Sequence, residues 1–481
     1  MIRCLRNLFF LGWSLGLTAC ILDPHQSLKQ PINIPKDWSS IDRHMTKTAK
    51  TEVCFPWWHQ YHDPALNHLI ARGLRYNNDI QVAMANVEAA QGELKRIEYN
   101  WIPTLAGGVG YSSFPYLGYP GVLLAVFPNY TINVFNQIKA QQKARHEVKV
   151  TQGMRNSVRL TVIAQIAGSY FSHLAQTEEL QLLKTIESDL SQSLDINIGA
   201  AKGGIATNIN IAKARTKLEL IRAEEKIVEK NLVYTQNALR YLMNQNPCAF
   251  EFKQQFAQVD SQHMVIGTLP LLVIEHRPDM IAATEALKAT RAGIGVALSN
   301  FLPSINLSMA RGDIATIPNG STLGMPIYFN QALLTQPFIT LTSLGDLKKA
   351  RGQSKAAYYH YVDILRKVLR DVDNDLASHE FFTQRLIETV AAKESSKQAY
   401  QLNRDLYDRG IASYLGLLGE KVKLDELRVL VNKRKIDQTM AIINLYQDLA
   451  VGYGYKPHSE HKMLMQGKFD PLGVAWRTIV D

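Results

Sequence analysis

The sequence predicts a mainly helical chain built twice, each copy supplying helices, a pair of β-strands and a long helical hairpin. Three observations lead there. First, a helix ending on an aromatic-apolar-Pro step recurs: the stretch from Leu74 to Trp101-Ile102-Pro103-Thr104-Leu105 is answered by Arg277 to Phe301-Leu302-Pro303-Ser304-Ile305. Second, residues 136–198 and 345–407 contain no proline and each ends at glycine. Third, the apolar residues that follow each of these stretches return every seven positions, the spacing of a packed helical seam.

Taken in order, Arg3 and Arg6 precede the apolar run Leu8–Leu17, which is too short to span a membrane and reads as a secretory signal over 1–19. Leu17-Thr18-Ala19-Cys20 has the pattern of a bacterial lipobox, so cleavage before Cys20 and acylation of that residue are expected. Residues 20–55 hold Pro24, Pro31 and Pro35 without periodicity, the composition of a lipidated tether.

The first repeat is placed at 56–250. Its Ala-rich helix (Ala83, Ala85, Ala89, Ala90) stops at Pro103, since proline ends a helix and forces its predecessor extended. Strand character follows over Leu105–Ser112, again over Val122–Phe127 and again over Tyr130–Val134, around a Gly/Pro/Tyr-rich turn at 116–120. Residues 136–198 then predict a helix of about 90 Å, broken at Gly199 and Lys202-Gly203-Gly204. On the returning helix Ile211, Leu218, Leu232 and Leu239 form one row, and Ala214, Ile221, Val228 and Leu242 another, interrupted by Glu225 and Thr235. The short loop makes the two helices antiparallel.

A linker over 251–270 leads to the second repeat at 271–455, and residues 456–481 form a C-terminal tail. Here the alternation is cleanest: Ile305, Leu307 and Met309 share one strand face, Ser304, Asn306 and Ser308 the other. A turn is expected over 317–326, a strand to about Leu341, a helix over 345–407 and a returning helix ending near Tyr453. That last helix is apolar on opposite sides, with Val422, Val429, Ile436 and Ile443 in one row and Leu417, Leu424 and Val431 in another. A helix held between two neighbours needs two such rows.

Formal net charge is +10, yet no Lys/Arg cluster with interleaved aromatics is present, and the cations read as dispersed, which argues against nucleic acid as a partner. Beyond the signal no apolar run reaches the ~20 residues of a membrane helix, so any membrane span is made of strands. His59, His62 and His68 lack the companion ligands of a metal site and read as surface histidines. Gly107-Gly108-Val109-Gly110 is followed by no Lys-Ser/Thr and is no phosphate loop, and no Gly-x-Ser-x-Gly elbow occurs. Asp371, Asp373 and Asp375 read as ordinary surface charge on a helix. Neither an enzyme nor a cofactor is expected.

Trp57, Asp63-Pro64, Leu66, Leu69-Ile70, Asn77-Asn78-Asp79 and Arg277-Pro278-Asp279 resemble the outer-membrane factor family, the exit ducts of tripartite efflux pumps and type I secretion systems. The resemblance covers about Trp57 to Tyr453. It implies a fold that is mainly α with a transmembrane β-barrel: a homotrimer whose protomers each give four strands to one barrel, joined to a coiled-coil α-helical tube across the periplasm. Cys20 becomes its lipid anchor in the outer membrane, and Ile305, Leu307 and Met309 the lipid-facing residues of a strand. The partners implied are a periplasmic adaptor protein and an inner-membrane pump, and the cargo small molecules. Polypeptide secretion and a pore-free coiled-coil scaffold are the alternatives. Cys54 and Cys248 fall in the family's equatorial collar, and whether they pair is left open.

At the periplasmic tip the family carries Tyr, two residues, Gly and a short Ser/Thr segment, then two acidic residues one helical turn apart. Tyr407, Arg409, Gly410 and Ser413 match the tip, while the acidic positions are Gly416 and Gly419. In the first repeat the expected Asp and Gln are Asn210 and Lys213. The resemblance therefore implies an aperture at these residues without the family's usual carboxylates.

Overall fold

The computed structural model describes residues 55–113, 120–205, 207–246, 254–259, 270–316, 323–336 and 341–456; Cys20, Cys54 and Cys248 lie outside them. Helix α1 (Pro64–Tyr76) starts with proline at its first position, where a missing N–H costs nothing, and the Asp63 carboxylate accepts from the Ala65 and Leu66 amides at 2.8 and 3.3 Å. Asn77 caps α2 (Asn78–Tyr99) in the same way, accepting from Asp79 and Ile80. After Pro103 come β1 (Thr104–Ser113) and β2 (Pro120–Ile132). The second copy repeats the order, after the α3 (Val134–Lys202) and α4 (Asn208–Leu242) hairpin, with α5 (Pro270–His276), α6 (Pro278–Ser299), β3 (Ser304–Thr316) and β4 (Leu323–Thr335).

The four strands form one antiparallel sheet in the order β1-β2-β3-β4. Two strand pieces expected on either side of Pro128 are one strand, β2. Pro128 pairs with Leu105 of β1, while the ladder to β3 skips Phe127 and Pro128, because proline has no N–H to give on that side. Strand β4 also begins earlier than expected, at Leu323, within the stretch read as turn.

Each sheet half continues into a long helix: α3 (Val134–Lys202) with 69 residues and α7 (Leu341–Asp408) with 68. Each returns as a helix half as long, α4 (Asn208–Leu242) and α8 (Tyr414–Asp448), of 35 residues apiece. At 1.5 Å per residue the long helices reach about 100 Å. Their sheet-side thirds lie against the 22-residue helices α2 and α6, and their remaining lengths against α4 and α8.

The seven-residue rows are largely packed. Leu218, Val228 and, on α8, Val422 and Val429 share one apolar cluster with Leu183, Ile186 and Leu190 of α3. Leu417 and Leu424, the opposite row of α8, are buried as well, and α7 is the other helix packed on α8. Of the two interruptions, Thr235 bonds to Gln176 at 3.1 Å, whereas Glu225 is buried with Oε1 unpartnered.

Helix α8 ends at Asp448, short of the expected Tyr453, because the chain turns through Ala450 (φ 55°) and Gly452 (φ 93°) beneath the tryptophans. A Cβ on Gly452 would stand 2.9 Å from the Trp58 ring, so both the angle and the space select glycine. Trp57 stacks on Tyr446 at 5.0 Å, and Tyr61 meets Phe171 at 4.6 Å. The Tyr170 hydroxyl donates to Asp63, whose other oxygen caps α1. This aromatic knot ties α1, α3 and α8 together where the two helical tiers meet.

Candidate functional site

The packing partners define three stacked tiers, each an open strip of four elements. The sheet is β1-β2-β3-β4; the tier beside it is α2-α3-α6-α7; the far tier is α4-α3-α8-α7. In every tier a first-repeat element stands at one edge and a second-repeat element at the other. Edges β1 and β4 have no further strand to pair with among the described residues. On edge helix α4, Leu220, Ile227, Tyr234 and Tyr241 are exposed at seven-residue spacing, the last three at 48%, 64% and 67%. On edge helix α7, Phe381, Ile387 and Leu402 are exposed too. An apolar stripe of this period on a helix that already packs on one side asks for a second helix.

On the sheet, register puts Ile305 level with Ile132 and Leu334, and Leu307 with Tyr130 and Ala332. Cross-strand partners share a face, so Ile305 and Leu307 belong to an apolar patch that ends at Met309, opposite Asn330. The other face at this level is polar and bonded: Thr131 donates to Asn306, Asn306 to Thr335 and Ser308 to Gln331. Farther along β3 the pattern changes. Arg311 and Asp313 continue the Ile305 face, with the Arg311 guanidinium 5.6 Å from the Tyr328 ring centre, while Ala125, Phe127 and Phe329 make the other face apolar.

At the opposite end of the molecule both hairpins turn on a left-handed glycine, Gly204 (φ 72°) and Gly410 (φ 74°). Tyr407 and Tyr414 set their rings 5.4 Å apart across the α7–α8 turn, Arg409 is exposed within it, and the Ser413 hydroxyl caps α8 by accepting from the Gly416 amide at 3.1 Å. Gly416 and Gly419 lie on one exposed side of α8, Asn210 and Lys213 on the exposed side of α4. No hydrogen bond or ion pair joins Asn210 or Lys213 to the α7–α8 tip among the described residues. The three histidines His59, His62 and His68 are exposed, and no group of potential metal ligands occurs among the described residues.

A family model described as outer membrane efflux protein matches residues 69–245 and 269–450, the two repeats in turn. The chain belongs to the outer membrane efflux protein family. Similar proteins are a probable efflux pump outer membrane protein, SepC of Pseudomonas putida, 23% identical over 92% of this chain and 96% of the relative. A toluene efflux pump outer membrane protein, TtgC of the same species, is 23% identical over 94% and 96%. A probable outer membrane lipoprotein, SilC of Salmonella typhimurium, is 22% identical over 91% and 96%. Among solved structures, the open-state MtrE outer membrane channel of Neisseria gonorrhoeae superposes with a TM-score of 0.77 at 21% identity, over 88% of this chain and 96% of that one. The CmeC outer membrane channel of Campylobacter jejuni gives 0.76 at 18%, over 92% and 97%.

Within this efflux-protein fold, two polar sites were not legible in the sequence. One bridges the hairpins: Lys421 of α8 pairs with buried Asp189 of α3 at 2.7 Å, Lys433 reaches Glu179 at 2.9 Å and Glu224 at 3.3 Å, and the Tyr414 hydroxyl meets Gln192 at 3.2 Å. The partners are more than 200 residues apart in Lys421–Asp189 and Tyr414–Gln192, so no local pattern announces them. The other corrects the reading of the aspartates. Asp375 is half-buried, and burial, then its hydrogen bond and charge contact with Asp448, push its carboxyl up to about 8. Arg277, nearly buried, grips Asp279 at 2.7 Å and Asp448 at 3.3 Å beside it. Spacing along α7 could not reveal this, since the second carboxyl comes from the end of α8.

Proposed function

We propose that this chain is the outer-membrane exit duct of a tripartite efflux pump, a passive conduit for small molecules that takes its energy from an inner-membrane partner through a periplasmic adaptor. The observation that carries the reading is the stack of three open strips with aligned edges. A strip whose two edges differ closes only by head-to-tail contact with further copies, and rotation turns such contacts into a ring. Three copies place β4 of one beside β1 of the next to make one barrel, and α7 beside α2 and α4 of the next to complete the tube. A 13-residue strand such as β3 measures about 43 Å, enough at a tilt near 40° to cross the ~25 Å apolar band of an outer-membrane barrel.

In this reading Ile305, Leu307 and Met309 face lipid near the periplasmic rim, and Cys20 carries an acyl anchor, which SilC's description as a lipoprotein supports. Tyr407, Arg409, Asn210, Lys213, Gly416 and Gly419 ring the far aperture. The names of TtgC and its solvent- and antibiotic-pump relatives favour small apolar molecules over polypeptides as cargo. The deciding experiment is native mass spectrometry of the purified protein followed by planar-bilayer conductance. Trimers that conduct support the duct, and a non-conducting assembly supports the scaffold instead. Loss of resistance to toluene-like solvents on deleting the chain, restored by expressing it, supports the cargo class; unchanged resistance rejects it. Mass spectrometry of the mature N-terminus checks the anchor: Cys20→Ser removes the acyl mass, and an unmodified Cys20 in the native protein rejects it.

A further inference from the structure

The positive charge of this chain is not spread evenly. Over residues 134–155, the barrel-side start of α3, five cations (Lys139, Lys143, Arg145, Lys149, Arg155) stand against Glu147 alone. Over 341–361, the equivalent start of α7, Lys348, Lys349, Arg351 and Lys355 stand against Asp346 alone. Farther down, the sign reverses in both helices: acids outnumber bases over 156–202 and over 362–408.

Helix electrostatics do not account for this. The N-terminal end of a helix carries partial positive charge and favours acidic residues, yet neither long helix has an acidic residue in its first turn. On α3 the charge is partly met within the chain, Lys143 by Glu147 at 3.6 Å, Arg145 by Glu98 at 3.4 Å and Lys149 by Glu285 at 3.8 Å, but on α7 it is not. Lys348, Lys349 and Arg351 are exposed and have no carboxylate within 4.0 Å among the described residues, and Lys355 meets only the Tyr359 ring at 6.0 Å. Cations gathered near the start of α7 and left unpaired there, with Lys139 near the start of α3, are matched to negative charge outside the chain.

The height of Lys139, Lys348 and Lys349, the uppermost of them, identifies that charge. Exposed Tyr99, Trp101 and Ile102 mark the junction of helix and strand, the residue types of a membrane–water interface. Lys139 lies about 8 Å below it along α3, and Lys348 and Lys349 about 10–12 Å below it along α7. That is within roughly one Debye length, the range over which an anionic bilayer surface attracts a basic segment. We propose that the starts of α3 and α7 form a basic belt that binds the anionic phospholipid headgroups of the leaflet in which the periplasmic rim of the barrel sits. The belt rests on the duct reading, since it needs the barrel in a membrane, and it adds a lipid preference to it. The phosphodiester bears the recognised charge, and the belt opposes it as a surface potential.

The test reconstitutes the full chain into vesicles of phosphatidylcholine with a fifth of phosphatidylglycerol and reads, by native mass spectrometry after mild extraction, which lipids remain bound. The native protein retains phosphatidylglycerol several-fold above its share, and the enrichment falls as salt is raised from 50 to 500 mM. Replacing Lys348, Lys349, Arg351 and Lys355 together by Gln lowers the enrichment about fivefold or more, one cation at a surface being worth about that factor. Replacing Arg385, Lys393, Lys397 and Arg404 of the lower α7 by Gln leaves it unchanged. No enrichment in the native protein, which needs no variant to fold, overturns the belt while insertion still stands. Equal losses in both variant sets overturn it too, as does loss of the trimer with lipid enrichment intact, which would assign these cations to the neighbouring copy. Failure to insert into either lipid overturns the duct reading itself.

Discussion

Lys421 and Asp189 show what one residue can decide in a wall of long helices. Asp189 is buried with Oδ2 unpartnered, so the Lys421 ammonium at 2.7 Å is its main compensation. Lys421→Ala leaves the carboxylate stranded. The expected cost is about 1–2 kcal/mol, below the ~3–5 of a fully enclosed pair because the ammonium is more than a third exposed. Thermal unfolding of the reconstituted protein checks this, and Asp189→Leu combined with Lys421→Met is expected to recover most of the loss. At Asp375 the sign is different. Unfolded, the carboxyl loses its proton near 3.8; folded, it holds it to about 8. Between those values the folded state carries the extra proton, so stability falls as pH rises through the window and levels above it. Asp375→Asn keeps the shape and removes the titration, and the slope of unfolding temperature between pH 5 and 8 flattens. An unchanged slope assigns that pH dependence elsewhere.

At the scale of one element, the seam between α3 and α4 contains its own weak point. Glu225 occupies an inward position of α4, and burial, with Glu187 next, raises its carboxyl. Glu225→Leu completes the apolar row and is expected to raise stability by about 1–3 kcal/mol, read as a higher unfolding midpoint. Strand β3 makes a matched pair of expectations. With Leu307 on the proposed lipid face and Ser308 on the bonded polar face, Leu307→Arg weakens insertion more than Ser308→Arg. Because Leu307 is only the fourth residue of the strand, its cost belongs near the interface value of about 0–1 kcal/mol, rather than the ~2–4 of a midplane site. Folding yield into vesicles ranks the two, and equal yields reject the face assignment.

For the whole molecule, two properties follow from copies joining at their edges. In the proposed ring the exposed α4 stripe supplies one half of each lower seam, so Ile227→Glu with Tyr234→Glu removes two apolar contacts per junction and places charge in it. Each buried side chain of this size contributes about 1.5–3 kcal/mol, and the trimer is expected to dissociate on native mass spectrometry while the protomer keeps its helicity. The aperture gives the other property. In the proposed aperture Gly416 and Gly419 stand where the resembled family has acidic residues, and a Cβ at Gly419 meets open space while one at Gly416 touches only the Ser413 hydroxyl at 3.3 Å. Gly416→Asp with Gly419→Asp therefore fits the backbone, removes about 1 kcal/mol of helix weakness at each position, and adds negative potential to the throat. Reversal potentials under a salt gradient are expected to shift toward cations in the double variant. A native duct that is already strongly cation-selective, and unmoved by the change, places these residues away from the constriction.

What the sequence determined by itself was everything local or periodic. The doubled plan, the two long helices, the glycine turns and the two-sided α8 all follow from spacing along the chain, because helix and strand periods and proline geometry act within a few residues. Only the tertiary structure decided what depends on distant partners. Pro128 sits inside a strand because β1 asks nothing of its nitrogen; Asp375 is half of a carboxyl pair because α8 ends beside it; Asp189 is compensated by a lysine 232 residues away. The belt at the head of α3 and α7 belongs to both. Its lysines are plain in the sequence and read there as dispersed, but their common height below the sheet exists only once two helices, 200 residues apart, start on either side of α6 at the end of the same four strands.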